Sequence, residues 1–204
     1  MRCSTARLEL APVRMADSAS LLHVFRDADV RRFLLDGKLV SADWVTAEIR
    51  ASERRFASGG AGLSAVRRRA DPSVIGFVGF REFFEPPEPQ LLYGLLPEYW
   101  GRGLATEAAT AACRFAFETL DWTEVRAAID APNTASGAVL SRLGFRLDRT
   151  TDDGTAFYVL SRAAAIATSP ESQPPPRSGH RPRPPRQGPI SSAARDATHD
   201  DAVP

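Results

Sequence analysis

Residues 91–106 read LLYGLLPEYWGRGLAT, an apolar segment followed by a turn with two glycines. A predicted strand, Gln90 to Leu96, passes through a short turn into a predicted helix, Leu104 to Leu120. The first N–H groups of a helix have no partner within it, and the positive end of the helix dipole lies there. Gly101 and Gly103 carry no Cβ to keep an anion from the backbone. The turn is therefore predicted to bind a phosphate, although the pattern alone also fits an ordinary strand-to-helix connection.

A second turn-to-helix motif follows about thirty residues later. Residues 133–136 (NTAS) open a short predicted helix that ends at residues 142–145 (RLGF). Together the two motifs resemble the GNAT superfamily of acyl-CoA-dependent N-acetyltransferases. Residues 99–108 (YWGRGLATEA) look most like its branch of RimJ/RimL-type ribosomal-protein N-terminal acetyltransferases. The resemblance covers roughly residues 7–162 and is specific from Tyr93 to Phe145.

The composition is typical of a soluble enzyme with one folded domain. No apolar run approaches the roughly 18 residues that span a bilayer, and the N-terminus does not resemble a signal peptide, so a cytoplasmic protein without a membrane partner is expected. The net charge of +1 argues against nucleic acid as the main partner. Two cysteines, Cys3 and Cys113, and 3 histidines predict neither a disulfide framework nor a metal site.

The composition changes after about Arg162. Residues 166–204 are rich in Pro, Arg, Ser and Ala, with no aromatic residue and no Leu. Such a segment cannot bury enough apolar area to offset its ordering entropy, so we expect a disordered tail after a domain of residues 1–165. The run Arg177 to Arg186 interleaves Pro with Arg; it fits a polyproline-type ligand, a weak anion-binding arm or an ordinary solvated tail.

The predicted elements describe an α+β, or mixed α/β, fold. Strands are expected at residues 8–13, 62–69, 74–84, 90–96, 124–129, 145–149 and 155–161. Asp17 and Ser41 are predicted to cap the first two helices. The strands on either side of the helix from Leu104 form a parallel βαβ unit, while the earlier strands pair as an antiparallel hairpin. Helices flanking a mixed, mostly antiparallel sheet are also what the GNAT resemblance implies.

The resemblance implies acetyl-CoA as the acyl donor. The main-chain N–H groups of the glycine turn would bind its pyrophosphate, and its pantetheine arm would enter between two splayed parallel strands. The residues implied for cofactor binding are Leu95, Leu96, Gly101, Arg102, Gly103, Leu104, Ala105, Thr106, Asn133 and Ser136. Arg102 suits a phosphate contact, and equally a solvated charge.

The second motif has two interpretations. Asn133 and Ser136 fit simple roles at the start of a helix, as a turn residue and a cap. The resemblance adds that the Asn133 amide bonds the pantetheine and that Ser136 lies near the sulfur, as a catalytic candidate. The tyrosine acid that many GNAT enzymes carry in this helix corresponds here to Leu140 and is absent. Trp100 departs from the Gln or Arg of the superfamily pattern.

No histidine of the sequence stands out as the general base. Glu85, Glu88 and Glu98 flank the strand that would carry the acetyl group, and each could deprotonate an amine through a water. Each equally fits a solvated loop charge. Gln90 stands where related sequences often carry Glu, and an amide cannot act as a base.

These features predict an acetyl-CoA-dependent N-acetyltransferase that acts by direct attack of an amine. The acceptor is a protein or peptide N-terminus or a small amine, and the enzyme is a monomer or homodimer. A non-catalytic acyl-CoA-binding or regulatory module with the same fold is the alternative. A dinucleotide-binding dehydrogenase fits less well, because Thr106 occupies the place of the third glycine.

Overall fold

The computed structural model describes residues 1–84 and 86–168. Glu85 and the chain from residue 169 onward lie outside the described residues, so the predicted disorder of the tail stays a prediction. The last described helix ends at Thr168, a few residues beyond the expected domain boundary at residue 165.

The elements follow in the order expected from the sequence. The strands are β1 (Cys3–Ser4), β2 (Leu8–Pro12), β3 (Leu63–Arg68), β4 (Asp71–Phe83), β5 (Glu88–Leu95), β6 (Glu124–Asp130), β7 (Arg146–Thr150) and β8 (Thr155–Ser161). The helices are α1 (Ser18–Arg26), α2 (Ala28–Arg31), α3 (Ala42–Ala57), α4 (Leu104–Glu118), α5 (Thr134–Leu143) and α6 (Arg162–Thr168). Short 3-10 turns occupy Met15–Asp17, Leu35–Gly37 and Pro97–Tyr99. The elements β1 and α2 were not predicted, because two and four residues are too short to show a period.

In the described part of the chain, the strands form one 8-stranded sheet in the order β1-β2-β3-β4-β5-β6-β8-β7. Neighbouring strands are antiparallel except for β5 and β6, which run parallel on either side of α4. These two strands pair only at Gln90 opposite Arg126, near the start of both strands. Beyond that pair the two strands part. The predicted α+β fold, with one βαβ unit and splayed parallel strands, is confirmed.

The sheet has an apolar core on each face. On one face, α4 packs through alanines that are at most 1% exposed: Ala108, Ala109, Ala112 and Ala116. Their small side chains let the helix lie close to the strands. On the other face, α1 and α3 cover a second cluster, in which the rings of Phe25 and Phe77 stack with centroids 4.5 Å apart. The facing edges of β5 and β6 therefore lie between the two apolar clusters that cover the faces of the sheet.

The two predicted caps have different outcomes. The Ser41 side chain accepts a hydrogen bond from the Trp44 N–H and caps α3 as expected. Asp17 precedes α1, but its side chain makes no capping bond, so that prediction is wrong. Its carboxylate instead accepts the Arg14 N–H and pairs with Arg67 of β3. The Asp17 carboxylate therefore bonds to the backbone that precedes it and to a distant strand, and leaves the first turn of α1 uncapped.

Candidate active site

The turn between β5 and α4 depends on two glycines with left-handed backbone. Gly101 has φ 71° and Gly103 has φ 73°, a region that residues with a Cβ rarely adopt. Gly103 is the N-cap of α4, and its carbonyl accepts the first helical hydrogen bond, from the Glu107 N–H, at 3.0 Å. The first backbone N–H groups of α4 therefore open onto the turn, in the arrangement suited to a phosphate.

A side chain from the N-terminal part of the chain braces this turn. Arg7 donates from Nη1 to the Arg102 carbonyl at 2.8 Å and from Nε to the Glu107 carboxylate at 2.6 Å. The Thr5 hydroxyl and the Arg7 N–H also donate to Glu107. The sequence does not predict these bonds, because no local pattern connects residues that lie about a hundred positions apart.

The carboxyl group of Glu107 is held in its ionised form. Burial works against ionisation, but the hydrogen bonds from Thr5 and Arg7 and the positive charge of Arg7 outweigh it. The pKa of Glu107 is therefore lowered from its usual value. The first turn of α4 thus carries a fixed negative charge that is neutralised by Arg7.

The end of β5 joins the turn through a tryptophan. The Trp100 indole Nε1 donates to the Leu95 carbonyl at 2.6 Å. The Leu96 N–H donates to the carbonyl of Ile75 in β4, and the Leu96 carbonyl accepts the Tyr99 N–H. Because neighbouring residues of a strand direct their backbone groups to opposite sides, Leu95 faces the gap toward β6. Of the two residues expected to pair with pantetheine, Leu96 already has partners for both backbone groups.

The start of α5 forms the other side of the gap. The Asn133 side-chain oxygen accepts the Ser136 N–H at 3.1 Å and caps the helix, as one of the two interpretations predicts. The Tyr93 hydroxyl donates to the Ser136 carbonyl at 3.2 Å and so ties β5 to α5. Burial raises the pKa of Tyr93 to about 12, so the phenol stays protonated and keeps this bond at neutral pH.

A cavity of about 630 Å³ lies where β5 and β6 part. Its walls come from Gln90 to Leu92 of β5, from Ala128 to Asp130 of β6, and from the segment that leads into α3. This volume is within the range of about 300–1,000 Å³ that is usual for small-molecule sites. The cavity and the glycine turn therefore adjoin the same pair of strands.

The structure separates the candidate bases. Glu88, at the start of β5, accepts a hydrogen bond from Gln90 Nε2 at 3.0 Å and pairs with Arg126 Nε at 3.3 Å. Glu98 is exposed in the 3-10 turn beyond the other end of β5. Glu85 lies outside the described residues. Of the two described carboxylates, Glu88 is the one beside the cavity wall.

Comparison with known proteins gives the family. Residues 7–146, more than half of the chain, match the Acetyltransferase (GNAT) domain family. The protein named Uncharacterized N-acetyltransferase YoaA of Bacillus subtilis (strain 168) is 22% identical over 143 residues, which cover 70% of this chain and 81% of YoaA. The chain belongs to the GNAT acetyltransferase family and is an acetyl-CoA-dependent acetyltransferase. This favours the enzyme over the non-catalytic module.

Solved structures share the fold. The crystal structure of an acetyltransferase from Agrobacterium tumefaciens str. C58 has a TM-score of 0.69 at 25% identity and covers 79% of this chain and 95% of its own. RimL, described as a ribosomal L7/L12 alpha-N-protein acetyltransferase in complex with coenzyme A, has a TM-score of 0.65 at 15% identity, with 77% and 95% covered. At that identity the likeness to RimL concerns the fold alone.

No helix in residues 1–84 and 86–168 has the length and apolar character needed to cross a membrane. Among these same residues, no group of three or more His, Cys, Asp or Glu side chains could hold a metal ion.

The hydrogen bonds from Thr5 and Arg7 to Glu107 predict that this residue contributes to stability in a pH-dependent way. Glu107→Gln is expected to lower the free energy of unfolding by about 1 kcal/mol, a small value because Arg7 is half exposed. Because the folded pKa of Glu107 is lowered, its contribution is complete above the unfolded pKa of about 4.3 and is lost as the pH falls through the folded pKa. Urea unfolding of both proteins between pH 3 and 7 measures the difference.

Glu118→Gln provides the control. Glu118 is exposed at the opposite end of α4 and should show no such pH-dependent difference. A Glu107→Gln difference that stays constant across this pH range would contradict the ion-pair interpretation.

Proposed function

We propose that the protein transfers the acetyl group of acetyl-CoA to a primary amine by direct attack, without a covalent enzyme intermediate. The observation that supports this best is the parting of β5 and β6 beyond Gln90 and Arg126, next to an open helix N-terminus and a cavity. The donor and acceptor would reach each other at this opening. The acceptor is a protein or peptide N-terminus or a small amine.

The glycine turn suits the pyrophosphate of acetyl-CoA. A Cβ built at Gly101 meets no atom within 4 Å, and one built at Gly103 makes only an ordinary 3.6 Å contact with Arg7. The space above both glycines is thus open, and backbone N–H groups border it. The residues we assign to this contact are Gly101, Arg102, Gly103, Leu104, Ala105 and Thr106.

The gap beyond the turn suits the pantetheine arm. Leu95 would offer it a backbone N–H from β5, since the Leu95 carbonyl already accepts the Trp100 indole. Leu96 would hold the strand end in place, and Asn133 would face the arm from α5. The Asn133 oxygen is used in the cap, but its NH₂ group can still donate to an amide carbonyl. Ser136 follows in the first turn of the same helix and would lie near the sulfur.

Acetyl-CoA supplies an activated acetyl thioester: the amine nitrogen forms an amide bond to the acetyl carbon, the carbon–sulfur bond breaks, and the proton lost by nitrogen ends on the thiol of coenzyme A. We assign Glu88 to take that proton from the amine through a water, because Glu88 itself does not line the cavity. Its bond to Gln90 places it behind the cavity wall. Ser136 would donate to the departing sulfur.

We further place the protein in the RimJ/RimL-like branch. The support for this is the YWGRGLATEA stretch at residues 99–108. A cytoplasmic location and a monomer or homodimer agree with this assignment.

The wild-type protein is expected to bind acetyl-CoA and to release the coenzyme A thiol only when an amine is present. Gly103→Val should weaken acetyl-CoA binding at least about tenfold, because a branched side chain would fill the space above the turn. Isothermal calorimetry measures the affinity. A thiol assay with a broad amine panel, followed by mass analysis of the product, tests the reaction.

Gly59→Val is the matched control for backbone strain. Gly59 has φ 79°, and a Cβ there also meets nothing within 4 Å, but it lies after α3 and away from the turn. Both variants should lose similar stability while Gly59→Val keeps its affinity. Equal affinities in the two folded variants would overturn the phosphate assignment.

The two roles of Asn133 can be measured separately. Asn133→Asp keeps the capping oxygen but loses the NH₂ donor, so it should retain stability and raise the KM for acetyl-CoA. Asn133→Ala should raise the KM as well and also cost about 1 kcal/mol of stability. Steady-state kinetics and thermal melts of both variants give the answer. A normal KM for Asn133→Asp would leave this residue with its capping role alone.

Ser136 and Glu88 should affect turnover rather than binding. Ser136→Ala and Glu88→Gln are each expected to lower kcat at a nearly unchanged KM for acetyl-CoA, because a thiolate donor or a proton acceptor acts only during the reaction. Glu98→Gln, at the far end of β5, serves as the control. If Glu98→Gln lowers kcat and Glu88→Gln does not, the proton acceptor has been assigned to the wrong carboxylate.

A further inference from the structure

An arginine in the cavity wall is held in a fixed orientation. The Arg81 guanidinium carbon lies 5.6 Å from the ring centroid of Trp44 and 4.6 Å from that of Phe83. Arg81 Nε donates to a Glu48 carboxylate oxygen at 2.9 Å. Cation–π contacts with two rings and one charged hydrogen bond therefore fix the plane of the guanidinium.

The far end of this guanidinium is available to a ligand. Glu48 is buried and shares its carboxylate between Arg81 and Arg55, whose Nη1 lies 3.4 Å from the second oxygen. Among the described residues, the bond to Glu48 uses only Nε of Arg81, while a guanidinium carries five N–H donors. The Arg81 side chain keeps 22% of its surface accessible and lines the cavity. Its two terminal nitrogens can therefore bind a planar anion.

The residue beside Arg81 offers the opposite hydrogen-bonding character. Gln90 is the cross-strand partner of Arg81, so both side chains lie on the same face of the sheet. A carboxylate only accepts hydrogen bonds, so the Gln90 amide nitrogen must face Glu88, and the orientation of the amide is settled. Its oxygen is buried and has no hydrogen-bond partner among the described residues. An unsatisfied acceptor in this place favours an N–H donor.

The rest of the cavity is mainly apolar. It includes four aromatic rings and several aliphatic side chains, among them Phe33, Leu34, Trp44, Phe83, Phe84 and Leu92. A hydrophobic body is therefore favoured, with its polar groups directed at Arg81 and Gln90.

We propose that the acceptor is an α-amino carboxylate with a large apolar side chain. This inference rests on the proposed function for its reaction. Of the two proposed acceptor classes it selects the small amine, because a peptide N-terminus carries an amide instead of a carboxylate on its α-carbon. Arg81 binds the carboxylate through its two terminal nitrogens. Gln90 accepts an N–H of the amine, which is attached to the same α-carbon as the carboxylate. The apolar walls take the side chain, and the amine lies at the opening between β5 and β6. Polyamines and sugar amines, which lack a carboxylate, fit this arrangement poorly.

Three probes separate the parts of this recognition. L-phenylalanine has the amine, the carboxylate and an apolar side chain; phenethylamine lacks the carboxylate, and L-phenylalaninamide replaces it by a neutral amide. Calorimetric titration of each into the full-length protein, in the presence of coenzyme A, gives the affinities. Phenylalanine is expected to bind at least about tenfold more tightly than the other two.

Two variants should have different effects. Arg81→Gln should remove the preference for phenylalanine and leave phenethylamine binding nearly unchanged. Gln90→Met, of similar size but without the amide, should weaken phenylalanine and phenethylamine alike, because both carry the amine. Arg55→Gln is the matched control: it removes the other arginine from Glu48, does not line this cavity, and should keep the wild-type preference.

The results can overturn the inference independently of the reaction. Equal binding of the three probes, or a phenylalanine preference that survives Arg81→Gln in a folded protein, would refute carboxylate recognition. The coenzyme A release assay with the same probes tests the proposed function. If phenethylamine is acetylated as efficiently as phenylalanine, the function stands and the inference fails. If phenylalanine binds selectively but no amine releases coenzyme A, the recognition stands and the proposed reaction fails.

Discussion

The arrangement of the site depends on one constraint: β5 and β6 are paired at Gln90 and Arg126 and then part. Along its outer edge each strand is paired over its whole length, β5 with β4 and β6 with β8. Backbone N–H and C=O groups that face the gap gain no partner from the sheet, and such groups are costly when buried. A polar, extended molecule that enters between the strands can satisfy them. The cavity is lined by residues of the same two strands.

Three side chains from different parts of the chain hold the borders of this gap. Trp100 bonds to the last residue of β5, Tyr93 bonds to the first turn of α5, and Arg7 joins the glycine turn to α4. Each bond ends on a backbone carbonyl, so each fixes the path of the main chain. Backbone groups are also what the proposed cofactor contacts use. Rigid placement of these groups before binding lowers the entropic cost of binding.

Much of the fold could be predicted because its signals are local. The glycines at the start of α4, the apolar strand before it and the serine before α3 act within a few residues of their own position. The position of β5 and of both motif helices was accordingly predicted within a few residues. Asp17 shows where such local signals fail. Its carboxylate does not cap α1 and pairs instead with Arg67, on a strand about fifty residues away. Sequence periodicity carries no information about such a partner.

The mixed α+β fold and the glycine turn follow from signals that act over a few residues, because they depend on local backbone conformation. The cofactor contacts at residues 101–106 and at Asn133 come from the family resemblance and stay predictions. The folded chain shows which carboxylate lies beside the cavity, that Leu95 rather than Leu96 faces the gap, and that Arg81 and Gln90 adjoin in one wall. Strand register and long-range side-chain bonds settle these points. They arise when distant segments pack together, so no short stretch of sequence contains them.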